Sequence, residues 1–246
     1  MEPIFRKPFT LSSIHMDRFR RAKPSVLLYL AQEAACGHCD QLALDWDTLA
    51  QKDLFWAIIR HRVQITRLPT EGETITVETW PLPTTRSAFP RATVGYDEEG
   101  KELFRTMALW VLMNTKTRTM VLPGKSGIGL EGLLRGTELA APSSILPKNW
   151  ENHFFRQVRY SELDRNGHMN NTRYLDWVCD LLPSEFHREH PLREFTVCYL
   201  SEATEGQEID LCWQLTDGPV LQVDGRREKT NVPRDYDRVF SAQLCF

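Results

Sequence analysis

Three side chains suited to proton and acyl chemistry stand at alternate positions in one short stretch: Asp164, Asn166 and His168. A carboxylate, a carboxamide and an imidazole can together take up a proton, orient a polar group and offset a developing charge. Side chains two apart in an extended segment point the same way, so an extended Asp164–His168 segment predicts convergence on one side. Asn170 and Asn171, good helix N-caps, follow directly. Tyr174, Trp177, Val178, Leu181 and Leu182 then recur at helical spacing until Pro183 stops the run. The triplet is thereby expected at a helix N-terminus, where the backbone N–H groups of Asn170 and Asn171 and the helix dipole would stabilise an oxyanion. That is the layout of an acyl-transfer site. Taken singly, Asp and Asn are common turn residues before a helix and a lone histidine is more often structural. Their joint spacing is what favours chemistry.

Positioning such a site needs a fold, and the 246 residues are enough for one large domain or two smaller ones. A 41% hydrophobic and 26% charged composition is that of a soluble globular protein. The net charge of −3 gives no drive toward nucleic acid. No run approaches the ~18 apolar residues of a membrane span. Met1 to Arg6 carries no signal-peptide core and no transit-like composition, so a cytoplasmic chain is expected. Of the six cysteines, Cys36 and Cys39 spell Cys36-Gly37-His38-Cys39. The pair falls toward the C-terminal end of an apolar helical run, where the dipole disfavours a thiolate, and no second ligand pair follows. Buried structural thiols are expected, with no metal and no cofactor.

Along the chain, Ile4–Leu11 reads as a strand, and Pro24 and Ser25 open a helix apolar nearly all round, hence buried. Strand patterns follow at Phe55–Thr66, Thr74–Leu82, Ser87–Tyr96 and Glu102–Asn114. From Gly124 to Trp150 periodicity disappears, apart from a short helical piece around Leu130–Arg135. After Phe154–Tyr160 and the helix come strands at Glu194–Glu202, Glu208–Thr216, Val220–Arg226 and Arg238–Phe246. Both halves read strand, apolar helix, antiparallel strands. An echo supports duplication: Thr70-Glu71-Gly72-Glu73 running to Trp80, and Thr204-Glu205-Gly206-Gln207 running to Trp213, with Tyr29-Leu30 and Tyr174-Leu175 in the helices. The expected architecture is an α+β tandem hot dog, each copy a long central helix wrapped by an antiparallel β-sheet. Its expected parts are an N-terminal domain over 1–128, a linker over 129–150 and a C-terminal domain over 151–246.

The run Val158-Arg159-Tyr160-Ser161-Glu162-Leu163-Asp164-Arg165-Asn166-Gly167-His168-Met169-Asn170-Asn171, with Tyr174 and Trp177 after it, resembles the acyl-acyl carrier protein thioesterases of plant plastids and bacteria. Supporting stretches are Glu33-Ala34-Ala35-Cys36-Gly37-His38, Val77-Glu78-Thr79-Trp80 and Trp110-Val111-Leu112-Met113-Asn114. The resemblance implies catalytic roles for Asp164, Asn166 and His168, joined by Glu202 from the strand Tyr199-Leu200-Ser201-Glu202-Ala203. Many members carry a cysteine after this glutamate; Ala203 stands here, so a Cys–His mechanism at that position is closed to this chain. The implied reaction is hydrolysis of a fatty acyl chain thioesterified to acyl carrier protein. Glu202 would deprotonate water, or Asp164 would attack directly; the sequence leaves both routes open.

The first half, opening its helix with Lys23-Pro24-Ser25, shows no Asp/Asn/His set and is expected to be catalytically silent. Its interior would bind the acyl tail through residues such as Leu27, Leu30 and Trp80. Arg18, Arg20, Arg21 and Lys23, or Arg226, Arg227 and Lys229, would receive the acidic carrier protein. Two hot dogs in one chain are compatible with a monomer or a homodimer. The alternatives are a hot-dog acyl-CoA thioesterase, a hydratase (disfavoured by a missing proline and shorter Asp-to-His spacing) and a non-catalytic acyl-thioester-binding regulator (disfavoured by the lack of a DNA-binding segment).

Overall fold

The computed structural model describes residues 3–148, 150–228 and 235–246. The chain divides into two units, Met1–Pro142 and Ser143–Phe246. Unit 1 runs β1 (Phe5–Thr10), α1 (Pro24–Gln41), α2 (Trp46–Ala50), β2 (Leu54–Ile65), β3 (Thr74–Pro81), β4 (Phe89–Tyr96), β5 (Glu102–Asn114), β6 (Met120–Val121) and α3 (Pro123–Ser126). Its strands are antiparallel in the order β1-β3-β4-β5-β2, with β6 on β5. Pro24 suits the first turn of α1, where its missing N–H costs no bond. The 18-residue helix removes Leu27, Leu28 and Leu30 entirely from solvent. Each such side chain contributes about 2 kcal/mol of hydrophobic stabilisation.

Unit 2 runs β7 (Asn152–Gln157), α4 (Arg173–Cys179), α5 (Ser184–Glu189), β8 (Glu194–Tyr199), β9 (Glu208–Thr216), β10 (Val220–Glu228) and β11 (Tyr236–Cys245). Its antiparallel order is β7-β9-β10-β11-β8. Counted from the start of each unit, both sheets read first, third, fourth, fifth, second. A detail repeats as well. Gly95 on β4 faces Phe104 on β5, and Gly225 on β10 faces Phe240 on β11, with a bulge directly after each glycine. A Cβ at either glycine would lie 2.2 or 2.1 Å from the facing ring. Both phenylalanines are fully buried in the space the missing side chain leaves.

Three expectations need correction. The second half does not hold a long helix: α4 has seven residues, Asp180 caps it, and Pro183 is the N-cap of a separate α5. Proline disfavours helical backbone at the residue before it, which splits the apolar run. No helix forms at Leu130–Arg135. That segment lies along unit 1, with Leu133 N–H donating to Pro81 O at 2.9 Å and Arg135 stacked over Trp80. The second-half strand expected to reach Glu202 ends at Tyr199.

The echo holds only in part. Gly72 and Gly206 occupy matching turns at φ 83° and 81°, donating to Leu11 O and Val158 O respectively. Trp80 and Trp213 are not equivalent: by strand register Trp213 matches Thr79, and one residue's difference in a strand puts a side chain on the other face. Tyr29 is exposed and Tyr174 buried, so that match is not structural either.

Candidate active site

Residues 163–169 form a tight turn, not the extended segment that alternate spacing suggests. Leu163 and Met169 pair across it, Asp164 N–H donates to His168 O at 2.7 Å and Gly167 N–H to Asp164 O at 3.0 Å. Gly167 sits at φ 75°, a left-handed conformation that a side chain would strain. Asp164 holds the turn from inside. Its Oδ1 accepts the N–H of Asn166 at 2.8 Å and of His168 at 3.2 Å, and its Oδ2 accepts Asn166 Nδ2 at 3.2 Å. The carboxylate is committed to the loop.

His168 brings its Nε2 to 3.5 Å from Glu202 Oε2. The His168 side chain is 21% and that of Glu202 45% exposed, so water and a substrate reach the pair. Glu202 lies on the loop after β8, and that loop is tied to the turn: Met169 N–H donates to Ala203 O at 2.8 Å, and His168 bridges Thr204. The structure therefore brings Asp164, Asn166, His168 and Glu202 together, although Glu202 is not on a strand.

Arg227 fastens the Glu202 loop. Its Nη1 donates to Glu202 O at 2.9 Å and Gln207 Oε1 at 2.7 Å, and its Nη2 to Ser201 Oγ at 3.1 Å. Sequence reading placed Arg227 in a carrier-docking patch. Its partners are a backbone carbonyl and uncharged side chains on a distant loop, which leave no pattern in the sequence. Tyr174 is expected in the helix and in the run that carries the resemblance, with no role at the site. It is buried against Tyr199 and Phe240, and burial pushes its phenol far above the usual range, with the Asp164 and Glu202 carboxylates adding to the rise.

The oxyanion expectation for Asn170 is corrected. Its N–H already donates to Glu162 O at 2.8 Å, and its side-chain oxygen accepts Thr172 N–H and Oγ1–H at 3.0 and 2.8 Å. The helix begins two residues beyond Asn171, at Arg173. Tyr199 O–H donates to the carbonyl of Asn171. Leu27 and Leu30 lie in the interior of unit 1, on α1. Trp80 does not join them. It belongs to a cluster with Ala92, Val94 and Met107, on the sheet face opposite the one that meets His38 of α1.

The turn has a twin in unit 1. Asp17 N–H donates to Arg21 O at 2.7 Å, Met16 pairs with Ala22, and Asp17 Oδ1 accepts the N–H of Phe19 at 2.8 Å and of Arg21 at 3.0 Å. Arg20 occupies the left-handed position at φ 63°. Asp17 thus matches Asp164, while Phe19 stands for Asn166 and Arg21 for His168. The expectation that the first half lacks the whole set is corrected at the aspartate. Of the presumed docking residues, Arg20 pairs with Glu71 and Arg21 with Asp17, and Arg226 stacks on Trp150. Lys229 lies outside the described residues.

Cys36 is exposed, not buried; Cys39 is half-buried and its thiol pushed up by burial. A possible metal-donor set exists elsewhere, on β7 and β9. Donor atoms of His153, Asp210 and Cys212 lie within 4.8 Å of one another. The Cys212 thiol donates to Asp210 Oδ2 at 3.2 Å, and burial pushes it up to about 12, so a metal would have to displace that proton.

Comparison with known proteins follows the same division. The model of the acyl-ACP thioesterase N-terminal domain matches residues 2–122, and that of the acyl-ACP thioesterase C-terminal domain matches residues 148–235. The chain belongs to the acyl-ACP thioesterase family. Among curated acyl-ACP thioesterases, it is 27% identical over 214 residues to the chloroplastic palmitoyl-acyl carrier protein thioesterase of Gossypium hirsutum, covering 81% of this chain and 52% of that protein. To the chloroplastic dodecanoyl-[acyl-carrier-protein] hydrolase of Umbellularia californica it is 27% identical over 216 residues, covering 82% and 56%. The chain spans about half the length of these relatives. Its fold resembles the solved acyl-ACP thioesterase of Bacteroides thetaiotaomicron (TM-score 0.88, 22% identity, 99% of this chain and 98% of that one). It also resembles the 12:0-ACP thioesterase of Umbellularia californica (TM-score 0.81, 23% identity, 99% and 97%). The acyl-ACP thioesterase fold is thus a large antiparallel β-structure with few helices, of hot-dog-like type.

Proposed function

We propose that this acyl-ACP thioesterase hydrolyses fatty acyl thioesters of acyl carrier protein, releasing a free fatty acid. The observation that carries the reading is the approach of His168 Nε2 to Glu202 Oε2, 3.5 Å apart on two tied loops. In the proposed reaction Glu202 takes a proton from water as its oxygen bonds the thioester carbonyl carbon. The tetrahedral oxyanion then expels the carrier's thiolate, which receives the proton that Glu202 took, directly or relayed through His168. The Asn171 amide is our candidate oxyanion donor. Asp164 serves as a positioning residue: both its oxygens accept loop hydrogen bonds, which argues against direct carboxylate attack. Asn166 braces that carboxylate.

The finer architecture belongs to the same proposal. We read the units as tandem hot dogs, the N-terminal one catalytically silent and binding the acyl chain around Leu27 and Leu30. The shared strand order and the twin turns at Asp17 and Asp164 support duplication. Thiol release from matched acyl-carrier and acyl-CoA thioesters tests the reaction and its carrier together. Faster turnover on carrier thioesters, abolished in His168→Ala and Glu202→Gln, is the expected result. Activity retained in both variants refutes the site.

A further inference from the structure

The Gly–Phe pairs align the two sheets residue by residue. Four residues before Gly95 and Gly225 stand Arg91 and Leu221; four after Phe104 and Phe240 stand Ala108 and Leu244. Cross-strand partners then give one row in each unit, Arg91–Ala108–His61 in unit 1 and Leu221–Leu244–Phe195 in unit 2. The next row toward the pair is Thr93–Thr106–Val63 against Val223–Ala242–Val197. These rows share the face of each unit's sheet that meets its helix: Arg91 Nη1 lies 3.1 Å from His38 Nδ1 on α1, and the Phe240 ring packs at a tilt against Tyr174 on α4. In unit 2 every one of these positions is apolar and fully buried. In unit 1 the same ground holds a guanidinium, an imidazole and hydroxyls, also buried.

Two of those polar groups have no hydrogen-bond partner among the described residues, and the guanidinium has no carboxylate among them. Arg91 is 5% exposed; among the described residues its Nη1 meets His38 Nδ1 and Thr79 Oγ1, and the Cys36 and Cys39 thiols lie near enough to act on its charge, none of them a carboxylate. His61 is 2% exposed, and among the described residues neither ring nitrogen has a hydrogen-bond partner, nor does the Thr106 hydroxyl. A buried guanidinium with no carboxylate among the described residues, beside an imidazole and a hydroxyl with no partner there, is disfavoured unless something else supplies the complement. Unit 2 shows that the fold itself asks only for leucine, phenylalanine and alanine there. Strand spacing puts the Arg91 and His61 backbones about 10 Å apart, and on the strand between them Ala108 stands where the other copy has the larger Leu244.

We infer that the interior of unit 1 binds the carboxylate of an apolar-chain acid, with Arg91 supplying the charge and His61 and Thr106 donating hydrogen bonds. A guanidinium fork matches a carboxylate, and the leucines of α1 suit an alkyl chain. The carboxylate has two sources: a free fatty acid, or an acyl chain whose far end carries a second carboxyl. Assigning the source rests on the proposed hydrolysis; the site itself does not.

Calorimetric titration of the whole chain with saturated fatty acids and their matched alcohols tests the site without any turnover. The acids are expected to bind one per chain at least about tenfold more tightly than the alcohols. Arg91→Leu, the residue of unit 2, should erase that preference, and Arg91→Lys should keep part of it. Equal binding of acids and alcohols by the unaltered protein overturns the inference, as does an undiminished preference in a folded Arg91→Leu chain. Turnover then separates the sources. Inhibition by free acid that Arg91→Leu relieves assigns the first, and selective loss of turnover on ω-carboxyl thioesters assigns the second. Failure of hydrolysis with acid binding intact would count against the proposed function and leave the site standing.

Discussion

Asp17 and Asp164 hold the same turn in the two units, each accepting two backbone N–H groups on one carboxylate oxygen. The turn survives in unit 1 where Phe19 and Arg21 replace Asn166 and His168, so the aspartate's hydrogen bonds do not need an active site around them. Asp164→Ala is expected to lose these charge-assisted bonds at a cost of about 1–3 kcal/mol, with activity falling because His168 is no longer placed. Asp164→Asn keeps an acceptor oxygen and should retain most of the stability. Thermal denaturation beside turnover of the two variants checks this. An Asn variant as stable as the parent but wholly inactive would return direct attack by Asp164 to consideration.

Glu202→Gln removes the proposed base while leaving its loop tied by Arg227. Turnover is expected to fall by about 10²–10⁴-fold, the usual contribution of a positioned acid or base, with little change in melting temperature. Steady-state kinetics on a carrier thioester reads the loss. A drop of less than tenfold would remove Glu202 from the mechanism.

Arg227 acts on Glu202 through the loop it fastens. Arg227→Ala should therefore lower kcat more than it raises KM, by an intermediate factor, and Arg227→Lys should rescue little because one ammonium cannot replace two diverging N–H groups. If the loss appears mainly in KM for the carrier substrate and not for a small acyl thioester, Arg227 is a docking residue after all.

The chemistry was legible in the sequence and its geometry was not. Asp164, Asn166 and His168 announce themselves by type, but alternate spacing mimics a strand, and only Gly167 hints at the turn that forms. Strands β3, β5 and β9 stand out because long alternating runs pair on both sides. Helix α4 was overestimated because apolar spacing continues through Leu182 while Pro183 decides the backbone. Glu202 is found by resemblance; Arg227 is singled out for docking but not for fastening that loop, since its bonds to a loop about 25 residues away depend on how the β10 strand is placed. The echo pairs Trp80 with Trp213, but the register matches Trp213 to Thr79, and one residue in a strand changes faces.

The Gly95–Phe104 and Gly225–Phe240 pairs predict parallel costs in both units. Gly95→Ala or Gly225→Ala puts a methyl within 2.2 or 2.1 Å of a fully buried ring, so the ring or the bulged strand must move. Overpacking of this kind costs typically about 1–3 kcal/mol. Shortening the facing ring, as in Gly95→Ala with Phe104→Leu, should recover part of the loss if the clash is its cause. Denaturant unfolding of the single and double variants measures the coupling, and strictly additive effects would reject the explanation.

His61 gives the unfolding free energy a pH dependence of known sign. Burial, with no hydrogen-bond partner among the described residues, lowers its pKa from 6.5 to about 3. Below 6.5 the unfolded chain therefore binds a proton that the folded chain does not, and stability present above that pH is lost as pH falls toward 3. The slope from this one group approaches about 1.4 kcal/mol per pH unit in the middle of the window. His61→Phe, the residue of unit 2 at this row, removes the group and should flatten that part of the curve while leaving the slope outside it unchanged. Bound fatty acid should act in the same direction as higher pH, because a carboxylate held beside Arg91 stabilises the folded state in proportion to its occupancy. Denaturant midpoints between pH 6.5 and 4, with and without added acid, measure both effects on the same protein. A parent chain whose slope matches that of His61→Phe would mean that the imidazole is hydrogen-bonded or protonated in the folded state.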